Sequence, residues 1–234
     1  LSEDEGLTDN YIKEQVRQRL LKQQQEQARL CAAHTISSGS LRLFADLETK
    51  SLRLYYKDKE LTKGNGLHSS FLLKGTWYGT SSCDWQIEKQ TNALLLHLSW
   101  RQPKLTQLWK LSFKDNRLFW QVDSESSQPL EFEIFKFGLL LRKEYKTFFC
   151  GHQQQDFPKE FSQWQDIPLE NPQAEAFGLK KEKELPLLIL KNKGNLSCIL
   201  QNSDATLSCR TLQLGLAKDM IKDKNISFAT EINL

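Results

Sequence analysis

Ser82-Cys83-Asp84-Trp85-Gln86-Ile87-Glu88 and, beyond Gln90-Thr91-Asn92, Leu94-Leu95-Leu96-His97-Leu98-Ser99-Trp100 decide how this chain is read. In the first run Cys83, Trp85 and Ile87 alternate with Asp84, Gln86 and Glu88; in the second Leu94, Leu96, Leu98 and Trp100 share one parity. A repeat of two belongs to a strand with one buried face, because successive side chains point to opposite sides of a pleated sheet. Two such runs joined by a short polar segment predict an antiparallel hairpin.

The same repeat recurs on either side. Upstream, Leu41, Leu43, Ala45 and Leu47 alternate with Arg42, Phe44 and Asp46, and Leu52, Leu54 and Tyr56 follow a turn at Glu48-Thr49-Lys50. Downstream, Leu105 to Phe113 and Leu118 to Val122 hinge at Lys114-Asp115-Asn116. Polar Asp123 to Gln128 precedes Leu130 to Phe137, where the apolar parity slips near Ile134-Phe135, as a bulge or a strand buried on both faces would require. Leu139 to Phe149 continues the sheet, and Gly151 to Glu184 reads as a long irregular connection. Strands return at Leu187 to Leu190, Leu196 to Gln201, Leu207 to Leu214 and Ile226 to Leu234. About eleven meandering strands exceed what one flat sheet holds, so the expected fold is mainly β: a large antiparallel two-sheet sandwich.

One α-helix is expected in front of it. Asp9 to Ala33 is built of helix formers, with Thr8 or Asp9 as N-cap and with Ile12, Val16, Leu20 and Leu21 on one face. The stripe fades in Gln23-Gln24-Gln25-Glu26-Gln27. The expected organisation is a linker helix over 1–36, joined to an upstream domain of the same polypeptide, and a β-sandwich domain over 37–234. Leu1 in place of Met, followed by acidic Ser2-Glu3-Asp4-Glu5, reads as a piece of something longer.

Bulk composition narrows the function classes. A hydrophobic fraction of 39% with 13 Phe, 6 Trp and 5 Tyr supports a large core. The net charge of +3 is spread along the chain, which lacks the basic footprint of a dedicated nucleic-acid binder. No apolar run approaches the roughly 18 residues of a membrane span. Cys31, Cys83, Cys150, Cys198 and Cys209 are scattered without zinc-type or redox-type pairing, the usage of reduced thiols in a cytoplasmic protein. A tight turn at Ser203-Asp204 would set Cys198 opposite Cys209.

No catalytic motif stands out. His34, His68, His97 and His152 form no ligand-spaced pair, and neither a metal nor a cofactor is expected. Gly-x-Ser-x-Gly, a phosphate-binding glycine loop and His-Glu-x-x-His are all absent. The most informative cluster is Leu61-Thr62-Lys63-Gly64-Asn65-Gly66-Leu67-His68, followed by Gly75-Thr76-Trp77-Tyr78 and Cys83-Asp84-Trp85. Read as a loop, it offers a flat aromatic face for the C–H side of a pyranose, with Asp, Asn or His for the hydroxyls. Trp85, Trp100, Trp109 and Trp120 sit at alternating strand positions and are better read as core, whereas for Trp77 and Tyr78 core and ligand contact balance. The candidate ligand-binding residues are therefore Asn65, His68, Trp77, Tyr78, Asp84 and His97, and carbohydrate is the expected partner.

From Leu41 to Leu234 the order of features resembles the galactose mutarotase-like β-supersandwich: an opening hairpin, Leu61-Thr62-Lys63-Gly64 leading to Trp77-Tyr78, Trp85 opening a meander that includes Gln107-Leu108-Trp109, and a closing strand pair. This fold occurs in sugar epimerases and in accessory domains of carbohydrate-active enzymes. The resemblance implies a non-catalytic carbohydrate-binding or scaffolding domain of a larger carbohydrate-active or glycan-processing protein. One alternative is an aldose mutarotase or epimerase-like enzyme centred on His68 or His97, and another is an interaction module that uses the N-terminal helix. Mutarotases use a histidine acid and a glutamate base; no local motif places either role, so no catalytic residue is carried over.

Overall fold

The computed structural model describes residues 11–22, 24, 34–193, 196–216 and 221–234. It divides into two units, Leu1–Ala33 and His34–Leu234. In the first, residues 11–22 are helical, and Ile12, Val16 and Leu20 are exposed. Thr8, Asp9, Cys31 and most of the glutamine-rich end of the expected helix lie outside the described residues. Among the described residues no helix is long and apolar enough to cross a membrane.

The second unit is mainly strand, with one 3-10 turn at Thr80–Ser82 among the described residues. Its first half contains β1 (His34–Ser38), β2 (Leu41–Asp46), β3 (Ser51–Tyr56), β4 (Lys59–Glu60), β5 (Thr62–Leu73), β6 (Thr76–Gly79), β7 (Asp84–Lys89), β8 (Ala93–Trp100), β9 (Leu105–Lys114) and β10 (Arg117–Phe132). There follow β11 (Ile134–Arg142), β12 (Thr147–Cys150), β13 (Gln153–Asp156), β14 (Gln165–Asp166), β15 (Ala176–Leu179), β16 (Leu188–Asn192), β17 (Leu196–Asn202), β18 (Cys209–Leu216) and β19 (Ile221–Asn233). One sheet runs β1-β2-β3-β5-β11-β18-β17-β14, with β4 on β3 and β6 on β5; the other runs β13-β12-β15-β16-β19-β10-β9-β8-β7. Among the described residues pairing is antiparallel apart from one parallel bridge, Leu52↔Gly66. The protein is thus mainly β, a two-sheet antiparallel sandwich with a helix before it, as the period-two pattern requires.

Alternate side chains of both sheets meet in the middle. Leu43, Leu54, Leu67, Phe71, Phe137, Leu139 and Leu212 from one sheet are as fully buried as Leu96, Trp109, Trp120, Val122, Leu188 and Ile232 from the other. Each such side chain contributes about 1.5–3 kcal/mol by leaving water. Ring contacts cross the layer: Phe137 of β11 stacks on Phe228 of β19 at 3.6 Å, and Phe71 of β5 meets Trp100 of β8 edge-on at 5.3 Å.

Three local expectations are corrected. The Leu61–His68 stretch is not a free loop: Thr62 onward belongs to β5, whose Gly66 lets it pass close to β3. At Gly66, with φ +71°, a Cβ would stand 1.8 Å from the Leu52 carbonyl oxygen. Asp123 to Gln128 does not end the strand either: β10 continues from Arg117 to Phe132 and turns Ser124 and Ser126 inward, although its register with β19 shifts between Glu125 and Leu130. The parity slip at Ile134-Phe135 is where the chain changes sheets. Phe132 points into the core from one sheet, Glu133 bends while its N–H bonds Leu72 O at 2.9 Å, and Phe135 points into the core from the other.

The cysteine pairing also differs. Leu196↔Leu216 and Asn202↔Arg210 fix the β17–β18 register, which sets Cys198 opposite Leu214; Cys209 instead faces Arg142. Ser203 to Ser208 form a wider turn than the two-residue one assumed, held by Asp204 Oδ1 accepting from the N–H groups of Thr206 and Leu207. Cys198 Sγ bonds Ala174 O at 3.4 Å, and Cys83, Cys150, Cys198 and Cys209 are buried free thiols.

Candidate functional site

The middle of the first sheet is β5-β11-β18, and its inner row is apolar, with Leu67 and Phe71, Phe137 and Leu139, Leu212 and Leu214, except for buried Ser69, which donates to Gln107 Oε1 of β9 at 2.9 Å. Alternation then places His68 and Ser70, Lys136 and Gly138, and Thr211 and Gln213 on the outer face. The register puts His68, Gly138 and Gln213 in one line across three strands.

Gly138 makes this line chemically unusual. With no side chain on the middle strand, Gln213 reaches over it, and Gln213 Nε2 lies 3.1 Å from His68 Nε2. A Cβ at Gly138 would stand 2.5 Å from Gln213 Cγ and 2.2 Å from the Leu212 carbonyl oxygen. The other ring nitrogen of His68, Nδ1, lies 3.4 Å from Gly66 O. Since a carbonyl only accepts, Nδ1 carries the proton and Nε2 accepts from the Gln213 amide. Burial lowers the His68 pKa to about 4, with Lys136 adding a repulsive charge and the Gly66 hydrogen bond opposing both. The ring is therefore neutral at neutral pH.

This arrangement leaves buried acceptors idle. Gln213 Oε1 and Thr211 Oγ1 have no protein partner among the described residues, although Gln213 is 2% exposed and Thr211 is fully buried. Unpaired buried polar groups of this kind cost about 1–3 kcal/mol each. At the edge of the same face, Trp77 of β6 pairs with Leu72 of β5 and is 52% exposed. Lys136 Nζ lies 5.1 Å from the Trp77 ring centroid and 3.5 Å from Gln201 Oε1, and Gln201 Nε2 donates to Asp166 Oδ1 at 2.6 Å. Burial lowers the Lys136 pKa and the Asp166 charge opposes that. The result is a strip of one aromatic ring, one ammonium, one neutral imidazole and several amide and hydroxyl groups.

The residues singled out in the sequence fall in separate places. His68 and Trp77 share this face, and half-buried Asn65 lies three residues before His68, between Gly64 and Gly66. Tyr78 turns the other way: it stacks on Phe71 at 5.1 Å and lines a groove of about 890 Å³ with Leu73, Pro103 and Pro129. Asp84 is exposed at the start of β7 and pairs with Arg101 at 3.4 Å. His97 lies on the outer face of the second sheet, in a depression of about 570 Å³ that also holds Gln86, Asp123 and Ser227. Sequence reading missed Lys136, Gln201, Thr211, Gln213 and Asp166. The available signal was Thr211-Leu212-Gln213-Leu214, polar residues alternating with leucines in a strand that proves central. Among the described residues no three His, Cys, Asp or Glu side chains converge as a metal set would.

No protein family and no curated protein is matched by the sequence. Solved structures are matched by the fold. A putative aldose 1-epimerase from Escherichia coli K12 aligns with a TM-score of 0.58 at 10% identity, over 86% of this chain and 97% of that one. A galactose mutarotase related enzyme from Lactobacillus acidophilus aligns at 0.57 and 10% identity, over 86% and 96%. A 4-alpha-glucanotransferase from Thermococcus litoralis aligns at 0.58 and 9% identity, over 86% of this chain but 37% of that one. The fold is galactose mutarotase-like.

Proposed function

We propose that the sandwich recognises carbohydrate, and that an aldopyranose docks on the outer face of β5-β11-β18 with Trp77 at its edge. The observation that carries this is the exposed ring of Trp77, 5.1 Å from Lys136 Nζ, on the same face as the neutral His68. A sugar presents an apolar C–H face to an exposed ring and hydroxyls to uncharged polar groups, whereas an ionic ligand would meet mostly uncharged groups here. Lys136 supplies a donor for a ring or hydroxyl oxygen.

Recognition fits the geometry better than catalysis. Interconverting anomers requires a base to take the proton of the anomeric hydroxyl and an acid to supply the ring oxygen. The group facing His68 is an amide, which exchanges no proton, and an imidazole with a pKa of about 4 is a weak base. A second reading, an aldose mutarotase or epimerase-like enzyme, is favoured by the names of the first two structural neighbours.

Both readings are tested together. Glucose, galactose and maltose are titrated into the isotope-labelled protein, and anomer exchange is followed in the same samples by saturation-transfer NMR. The expected result is perturbation around His68, Gln213 and Trp77, at least about fivefold weaker binding in Trp77→Ala, given roughly 1 kcal/mol for a stacked ring, and no faster anomer exchange. A saccharide panel that leaves this face untouched, or Trp77→Ala and Gln213→Ala variants that bind as the parent does, would overturn the proposal. Accelerated anomer exchange would replace it with the enzymatic reading.

A further inference from the structure

The outer face of the second sheet carries a charge arrangement that the sugar-binding reading does not use. Glu231 of β19 lies between Phe119 of β10 and Lys191 of β16, its cross-strand partners on either side. Its side chain is 6% exposed, and three cations converge on it: Arg117 Nη1 at 3.1 Å and Lys191 Nζ at 3.2 Å on Oε1, and Lys193 Nζ at 3.2 Å on Oε2. Burial acts against the Glu231 charge, but the Lys191 and Lys193 hydrogen bonds and charges outweigh it and hold the carboxyl at about 2.

One negative charge cannot balance three positive ones. Three cations on one carboxylate leave the cluster with a net charge of two positive, and both carboxylate oxygens are already engaged. The cations nevertheless keep about half their side-chain surface in water, 50% for Arg117, 43% for Lys191 and 48% for Lys193. A guanidinium has five N–H donors and an ammonium three, so each retains donors for a second acceptor. Phe119, half-buried on the same face, has Lys193 Nζ 5.5 Å from its ring centroid, which sets a flat apolar surface beside the charges. The next ion pair on this face, Lys110 with Asp123 at 3.5 Å, is balanced one to one.

We propose that Arg117, Lys191 and Lys193, gathered by Glu231 and edged by Phe119, form a binding site for an oxyanion group, a phosphate, sulfate or carboxylate. Planar and tetrahedral oxyanions are the partners that a guanidinium and convergent ammonium groups bind with charge-assisted hydrogen bonds. This inference goes beyond the sugar site on the opposite sheet and does not depend on it. The group arrives either as a free ion or carried by a sugar ring that rests on Phe119.

The test is an NMR titration of the whole chain with sodium sulfate, inorganic phosphate, glucuronate and glucose, against sodium chloride at matched ionic strength. Sulfate and phosphate are expected to move the amides of Phe119, Lys191 and Glu231, while chloride and glucose leave them in place. Lys193→Gln should weaken binding at least about fivefold, Lys110→Gln should leave it unchanged, and Glu231→Gln, which removes the competing carboxylate, should tighten it. If the Glu231 variant does not fold, the two lysine variants decide the matter. Glucuronate binding tighter than inorganic phosphate identifies a sugar-borne anion, and the reverse identifies a free one. Sulfate and phosphate behaving like chloride, or both lysine variants weakening binding equally, would overturn the site.

Discussion

Acidifying the protein tests the His68–Gly138–Gln213 line directly, because the line holds a neutral histidine where an ordinary one would take up a proton. In the unfolded chain His68 titrates near 6.5, and in the fold near 4. Below the first value the unfolded state binds a proton that the native state refuses, so stability falls with pH until the native ring also protonates. The stabilisation is complete above pH 6.5 and is lost as pH descends towards 4. At about 1.4 kcal/mol per tenfold change in proton affinity, this gap has a ceiling of about 3 kcal/mol, and partial exposure of the ring reduces it to roughly 2–3 kcal/mol. Urea unfolding of the parent and of His68→Gln, a neutral reference, is measured in steps from pH 7.5 to 4. Other titrations, including the loss of the Glu231 ion pairs, cancel in the difference between the two proteins. That difference should shrink by roughly 1–2 kcal/mol on reaching pH 5 and level off near pH 4. A difference independent of pH across this range, or an imidazole NMR titration centred near 6.5, would refute the tautomer and the buried hydrogen bond inferred for His68.

Further perturbations probe neighbouring links. Gly138→Ala drives a methyl group into the Leu212 carbonyl oxygen and the Gln213 side chain, and it should cost about 2–3 kcal/mol or more in urea unfolding and raise the His68 titration; an unchanged midpoint contradicts the close approach. Gln213→Glu places a carboxylate against His68 and should raise the histidine's NMR titration midpoint by at least about one pH unit, whereas a midpoint left near 4 shows that the two side chains do not meet. Arg210 is 4% exposed, lies 4.7 and 4.5 Å from the Phe157 and Phe161 ring centroids, and donates to Tyr145 O, Pro158 O and Asn202 Oδ1. Arg210→Met strands these acceptors, so about 2–4 kcal/mol of lost stability and faster proteolysis between residues 157 and 161 are expected; parental protease resistance would show that the guanidinium does not pin that segment.

The fold was legible because burial in a sandwich has a short period. Cys83, Trp85 and Ile87 against Asp84, Gln86 and Glu88 announce a strand within seven residues, and the β7–β8 register, Trp85↔Leu98 and Ile87↔Leu96, follows that parity. The parity break at Ile134-Phe135 was visible too, but its cause was not. A bulge and a change of sheet both shift the apolar phase by one, and only the partner strands distinguish them. Trp77 and Tyr78 show the same limit at a single dipeptide: neighbours on one strand point to opposite faces, so one ring is exposed and the other packs on Phe71.

From its residues alone, this chain determined that its sheets would be antiparallel and that alternate side chains, Trp100, Trp109 and Trp120 among them, would close a core, since each of these depends on neighbours one or two positions away. The tertiary structure decided which outward side chains meet. His68, Gly138 and Gln213 are separated by 70 and 75 residues, and Arg117, Lys191 and Glu231 come from three strands. Such sites are set by strand order and register, properties of the whole sheet that no local hydrophobic period encodes.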